Sequence, residues 1–172
     1  MDVRLTNVVV SSDLHCDINL YHLARLMKNC VYNPSKYSGM ILRNKKIKST
    51  CFLFRTGRIL CMGNNSVVEA KKDLRKYARI IQKMDYSVYI CRISVVTKSA
   101  VATLSGKLDL YCLAKFLPSS VSYEPELFHA ALVKDGKVNF TCFKSGKIII
   151  TGVKNIASLY VKLAQIDLFT PL

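Results

Sequence analysis

Carboxylates are scarce in this 172-residue chain: 11 Asp and Glu stand against 26 Lys and Arg, for a formal net charge of +15. No two of those carboxylates form the pair that general acid–base chemistry needs, and no phosphate-cradling loop, dinucleotide fingerprint or nucleophile elbow occurs. Its three histidines, His15, His22 and His129, are isolated, and isolated histidines are far more often packed or surface groups than ligands. The seven cysteines include no Cys-x-x-Cys spacing, so neither a disulfide framework nor a zinc site is expected, and no cofactor. A run of about 18 uncharged apolar residues, the least that spans a bilayer, is absent, which excludes a spanning helix. Met1-Asp2-Val3-Arg4 does not open a secretory signal. These absences describe an intracellular, reduced, non-enzymatic protein.

What is present is a basic, apolar chain with an internal repeat. Residues 1–90 carry 16 cations against 6 acids, and residues 91–172 carry 10 against 5. An excess of this size attracts polyanions through counterion release. The repeat is explicit. Asn19-Leu20-Tyr21-His22-Leu23-Ala24-Arg25 returns as Asp109-Leu110-Tyr111-Cys112-Leu113-Ala114-Lys115. Tyr32-Asn33-Pro34-Ser35-Lys36-Tyr37 returns as Tyr123-Glu124-Pro125-Glu126-Leu127-Phe128, and Phe54-Arg55-Thr56-Gly57-Arg58-Ile59 as Phe143-Lys144-Ser145-Gly146-Lys147-Ile148. The offsets are 90, 91 and 89 residues, so order and spacing both persist. A unit of this length is one supersecondary block duplicated once, giving halves 1–90 and 91–172 about a pseudo-two-fold axis.

Within the first copy, the β-branched run Thr6–Ser11 predicts a strand, and the spacing of apolar residues from Asp17 to about Asn29 predicts a short helix. Pro34 marks a turn. Segments near 37–44, 49–55 and 58–62 predict three strands, the last two joined at Thr56-Gly57. Ser66 with Glu69 reads as a capping box opening a helix to about Met84. The second copy repeats the scheme: strand 92–99, helix 108–117, strands from about 128 and a helix near 154–167. The fold class is therefore α+β, two tandem repeats sharing one antiparallel sheet with helices on one face. Alternation places Phe52, Phe54, Leu60 and Met62 on one face and Cys51, Leu53, Ile59 and Cys61 on the other. Helices can cover only one face, so the other is an exposed apolar surface awaiting a partner.

The repeated segments, with Arg75-Lys76-Tyr77-Ala78-Arg79-Ile80-Ile81-Gln82-Lys83, resemble the core of the TATA-box-binding protein (TBP) family over roughly residues 5–165. That family is a standard example of minor-groove binders that wedge side chains between base steps. The resemblance implies a saddle with helices on its convex face, whose concave sheet lies on a widened minor groove. The wedge positions fall on Tyr37, Phe54, Phe128 and Phe143, with tyrosine where the family has a fourth phenylalanine. The minor-groove positions fall on Asn7, Val9, Phe52, Leu60, Met62, Thr97, Ser99, Thr141, Ile149 and Thr151. Thr97 replaces the second of a symmetric asparagine pair, and a short hydroxyl reaches base acceptors less readily than an amide. Arg43, Arg58, Lys134 and Lys147 match phosphate contacts, which position without reading sequence.

Two protein surfaces also follow from the resemblance. Lys72, Arg75, Lys76, Arg79 and Lys83 line the outer side of the repeat-one helix and suit transcription factor IIA, another acidic partner or bent DNA. Glu124 and Glu126, beside Phe128, match the acidic loop that contacts transcription factor IIB. The implied function is a nuclear initiation factor, or one at a site of viral transcription, that binds and bends TATA-like double-stranded promoter DNA and nucleates assembly of the RNA polymerase machinery. The alternative is a related factor without TATA specificity that serves mainly as a protein-interaction platform. No membrane partner is implied.

Overall fold

The computed structural model describes residues 2–170. The elements run β1 (Asp2–Asp13), α1 (Leu20–Leu26), β2 (Cys30–Val31), β3 (Met40–Leu42), β4 (Thr50–Leu53), β5 (Arg58–Asn64), α2 (Val67–Gln82). They continue β6 (Ser94–Thr103), α3 (Leu110–Phe116), β7 (Val121–Ser122), β8 (Ala130–Asp135), β9 (Val138–Phe143), β10 (Lys147–Val153), α4 (Ala157–Asp167). Each half repeats strand, helix, four strands, helix; the duplicated motifs predict this order with three strands, and the short β2 and β7 before the proline turns are additional. The hydrogen-bonding order is β2-β3-β4-β5-β1-β6-β10-β9-β8-β7, ten strands in one sheet. Two compact units compose the chain. One is Asn7–Val96; the other joins the stretch up to Thr6 with the chain from Thr97 onward.

In the Asn7–Val96 unit, β3, β4 and β5 pair antiparallel with Met40 opposite Leu53, Leu42 opposite Cys51 and Cys51 opposite Cys61. Those residues, with Ile59, are wholly buried, together with Leu74 and Ile81 of α2. The intervening residues Ile41, Phe52, Leu60 and Met62 remain partly exposed. Period-two alternation thus separates a helix-covered face from an open one, as the sequence pattern anticipates. In the other unit, the core joins Ala131, Val133, Phe140, Cys142, Ile148 and Ile150 of the sheet to Leu110, Leu113, Leu159, Leu163 and Ile166 of the helices. Val3 and Leu5 of β1 pack against that same core.

Helix starts follow the local chemistry. Asn19 accepts a hydrogen bond from the His22 amide, and Asp109 accepts from Tyr111 and Cys112 amides at 3.0 Å. Backbone donors at the α3 N-terminus hold the Asp109 carboxyl below its ordinary range. The capping box expected at α2 is not made. Ser66 occupies the cap position without a side-chain bond, and Glu69 instead meets Lys72 one turn on, at 2.8 Å. An ion pair within reach along the helix competes with the backward reach that the box requires. The first strand is also longer than Thr6–Ser11, and the last helix begins at Ala157.

One polar cluster is buried in the first unit. Asp73 Oδ2 accepts from the Ser49 amide (3.2 Å), the Ser49 hydroxyl (2.9 Å) and Asn64 Nδ2 (2.7 Å), while Oδ1 accepts from Lys76 Nζ (3.0 Å). Tyr77 donates its hydroxyl to the Ser49 carbonyl at 2.8 Å. Burial pushes the Asp73 carboxyl upward, but the bonds from Lys76 and Ser49 together outweigh it and hold the group below its ordinary value. The cluster ties α2 to the start of β4.

Candidate nucleic-acid interface

On the open face of the first unit, one row crosses four strands: Ile41 opposite Phe52, Phe52 opposite Leu60, and Leu60 opposite Ser11. The second unit repeats it as Leu132 opposite Thr141, Thr141 opposite Ile149, and Ile149 opposite Val101. Leu132 is 48% exposed and Ile149 36%. Apolar side chains left open in register in each unit suit a partner with a weakly polar floor.

Each unit also holds a ring pair where one of its row-bearing strands ends, Phe54 following β4 and Phe143 ending β9. Tyr37 and Phe54 approach edge to face with centroids 5.8 Å apart and planes at 67°. Phe128 and Phe143 do so at 6.5 Å and 69°. The sequence places each pair far apart along the chain; the fold joins them because each loop preceding β3 or β8 returns beside the hairpin ending β4 or β9. Tyr37 and Phe128 are both 41% exposed. Their loops have matching backbone bonds, Tyr37 to the Asn33 carbonyl and Phe128 to the Glu124 carbonyl. Sequence reasoning missed a third ring: His129 lies 5.1 Å from Phe128 and 5.5 Å from Phe143, where repeat one has Ser38. Comparing the repeats position by position would have exposed it.

Polar groups on the open face differ between units. Asn7 Oδ1 accepts from the Gly63 amide at 2.8 Å, which fixes the side-chain orientation and leaves Nδ2 as its donor end. Val9, expected to contribute contact surface, is only 9% exposed and has little to offer; it lies where the β1–β5 register shifts, between Val8 and Val10. Thr97 and Ser99 are partly exposed hydroxyls, Thr151 is exposed, and Met62 and Thr141 are partly exposed. Arg43, Arg58, Lys134 and Lys147 are all exposed and, among the described residues, form no ion pair.

The proposed partner residues lie outside the open rows. Lys72, Arg75, Lys76 and Arg79 are exposed on α2, and Lys83 is exposed at its C-cap. Lys72 and Lys76 are paired to Glu69 and Asp73, so Arg75, Arg79 and Lys83 carry the uncompensated charge. Glu124 and Glu126 are exposed in the Phe128 loop. Among the described residues no cluster of His, Cys, Asp or Glu could hold a metal ion, and no helix is long and apolar enough to cross a membrane. Burial pushes the Cys142 thiol up to about 12 and raises Cys51 well above the ordinary thiol value, so both are inert core groups.

The family model described as "Transcription factor TFIID (or TATA-binding protein, TBP)" matches residues 2–84 and 92–167. TATA-box-binding protein-like 1 of Entamoeba histolytica is 30% identical over 164 residues, covering 94% of this chain and 76% of the relative. TATA-box-binding protein 1 of Triticum aestivum is 32% identical over 164 residues, 94% of this chain and 70% of the relative. Rattus norvegicus TATA box-binding protein-like 2 is 33% identical over 159 residues, which span 46% of its length. Among solved structures, Methanococcus jannaschii TBP superposes with a TM-score of 0.82 at 26% identity, covering 97% of each chain.

Proposed function

Since this chain belongs to the TATA-binding protein family of non-enzymatic transcription factors, we propose that it binds promoter DNA through the minor groove and bends it, with the ring pairs as wedges. The observation that carries this reading is the pairing of Tyr37 with Phe54 and Phe128 with Phe143, one pair beside each open apolar row. Unstacking a base step costs a few kcal/mol, offset by aromatic stacking and by the extra surface that bent DNA contacts. Ile41, Phe52, Leu60, Leu132 and Ile149 would lie against sugars and base edges, with Asn7 and Thr97 facing base acceptors. Arg43, Arg58, Lys134 and Lys147 would hold the phosphate rims. Arg75, Arg79 and Lys83 would recruit transcription factor IIA or an acidic counterpart, and Glu124 and Glu126 transcription factor IIB. Together these contacts would nucleate polymerase assembly in the nucleus.

A second reading, a family member that has lost TATA preference and works as a protein platform, is favoured by the polar groups of the open face. Only one asparagine of the expected pair is present, and Val9 is closed off. A fluorescence-transfer bending assay on TATA and scrambled duplexes separates the two. Bending of TATA alone, reduced by Phe128→Ala with Phe143→Ala, is the expected result. Bending that is indifferent to sequence leaves the wedges in place and removes TATA reading, and no bending of any duplex favours the platform.

A further inference from the structure

The loop joining β3 to β4 in repeat one carries four cations in six residues: Arg43, Lys45, Lys46 and Lys48. Its counterpart, between β8 and β9, is the tight turn Lys134-Asp135-Gly136-Lys137, where a carboxylate offsets one of two lysines. The basic loop is firmly held. Ile47 is buried at 8% exposure, its amide donates to the Asn44 carbonyl at 3.0 Å, and Asn44 Oδ1 accepts from the Lys46 amide at 2.9 Å. Just beyond, Ser49 is locked to Asp73. Arg43, Lys45 and Lys46 are exposed and meet no carboxylate among the described residues, and Lys48 reaches only the neutral Asn65 amide at 3.5 Å.

A flexible basic loop would lose ordering entropy on binding an anion; this one is already ordered, so its charge is presented at low cost. Nothing on the loop reads bases: its exposed groups are point charges and one guanidinium, the chemistry of phosphate neutralisation. An acidic protein would also be attracted, but such a site usually offers apolar anchors among the charges, and the loop's one apolar side chain, Ile47, faces inward.

We propose that Lys45, Lys46 and Lys48 extend the phosphate contact already assigned to Arg43 into a phosphate-binding loop for duplex DNA, an addition made in repeat one only, so that the two repeats neutralise unequal numbers of phosphates. This rests on the DNA-binding reading above. The test is the salt dependence of affinity for a duplex that the parent protein binds, measured by fluorescence anisotropy. Each lost phosphate contact lowers the log–log slope by about 0.9, so Lys45→Gln with Lys46→Gln should lower it by about 1.8. Lys45→Arg with Lys46→Arg should restore the parental slope, and Lys107→Gln with Lys115→Gln should leave it unchanged. Thermal melts of all variants confirm the fold. A parental slope in the glutamine variant overturns the loop assignment, as does an equal drop in the Lys107/Lys115 control. A parent that binds no duplex at any salt instead overturns the DNA reading itself.

Discussion

The two repeats share a backbone plan but not a core. Where repeat one buries Ser49, Asn64 and Asp73 in a hydrogen-bonded cluster, repeat two has Val138, Val153 and Lys162 at the corresponding offset of 89 residues. Sheet packing has also been redistributed. Leu42 opposite Cys51 in repeat one becomes Val133 opposite Phe140 in repeat two, and Met40 opposite Leu53 becomes Ala131 opposite Cys142. Cores tolerate such exchanges if filling and patterning are kept. The duplicated unit has therefore kept its register and ring-pair geometry while its two interiors diverged, one toward polar specificity and one toward plain apolar packing. A satisfied polar cluster admits few alternative arrangements, which suits the half that carries the basic loop and the basic α2.

The sharpest way to break this comparison is Asp73→Ala against Lys162→Ala. The first strands the Ser49 amide and hydroxyl in a buried site and removes one of the two acceptors of Asn64 Nδ2, and should cost about 3 kcal/mol by urea denaturation. The second alters a partly exposed side chain and should stay within about 0.5 kcal/mol. Equal costs would show that the cluster contributes no special stability. Next come the bulge glycines. Gly63 and Gly152 both sit at positive φ, +107° and +82°. A Cβ on Gly152 would lie 2.1 Å from the Lys137 carbonyl oxygen, whereas at Gly63 nothing is nearer than 3.7 Å. Gly63→Ala should then cost about 1–2 kcal/mol for conformation alone, and Gly152→Ala distinctly more. Matching melting temperatures for the two would sink that distinction.

Acid sharpens the comparison further. Asp73 has its folded pKa depressed, so its contribution to stability is complete above the unfolded value and is lost as pH falls through the folded one. Denaturation midpoints followed downward through the carboxylate range should fall more steeply for the parent than for Asp73→Asn. The smallest effect is expected at the ring pairs proposed as wedges. Tyr37→Phe makes the two ring pairs alike and removes a hydroxyl that needs a polar partner at a kinked step. It should tighten duplex binding by about 0.5–1 kcal/mol, read by anisotropy, and a loss of affinity would show that the hydroxyl has found such a partner.

Much of this was legible in the chain. The repeat and the strand alternation follow from periodicity and motif spacing, because a duplicated unit is its own alignment, whereas singling out Tyr37, Phe54, Phe128 and Phe143 rests on the family resemblance. Buried polar contacts were not legible. Asp73 lies on α2 among charged residues and reads as another solvated position, and only the sheet bulge and the return of the loop before β4 bring Asn64 and Ser49 to it. The capping box failed for a related reason, since Glu69 had a second partner that a four-residue motif does not weigh. The low exposure of Val9 was not legible either, because a motif match assigns a position without giving its burial.

The opening strand has a consequence of its own. Its residues up to Thr6 belong with the later half of the chain, and Val3 and Leu5 rest on the interior formed by residues more than ninety positions downstream. The polypeptide is thus stitched across its own duplication. Trimming those first few amino acids would loosen the half that is synthesised last, and a severed downstream fragment, released without them, would emerge with its hydrophobic interior partly unroofed.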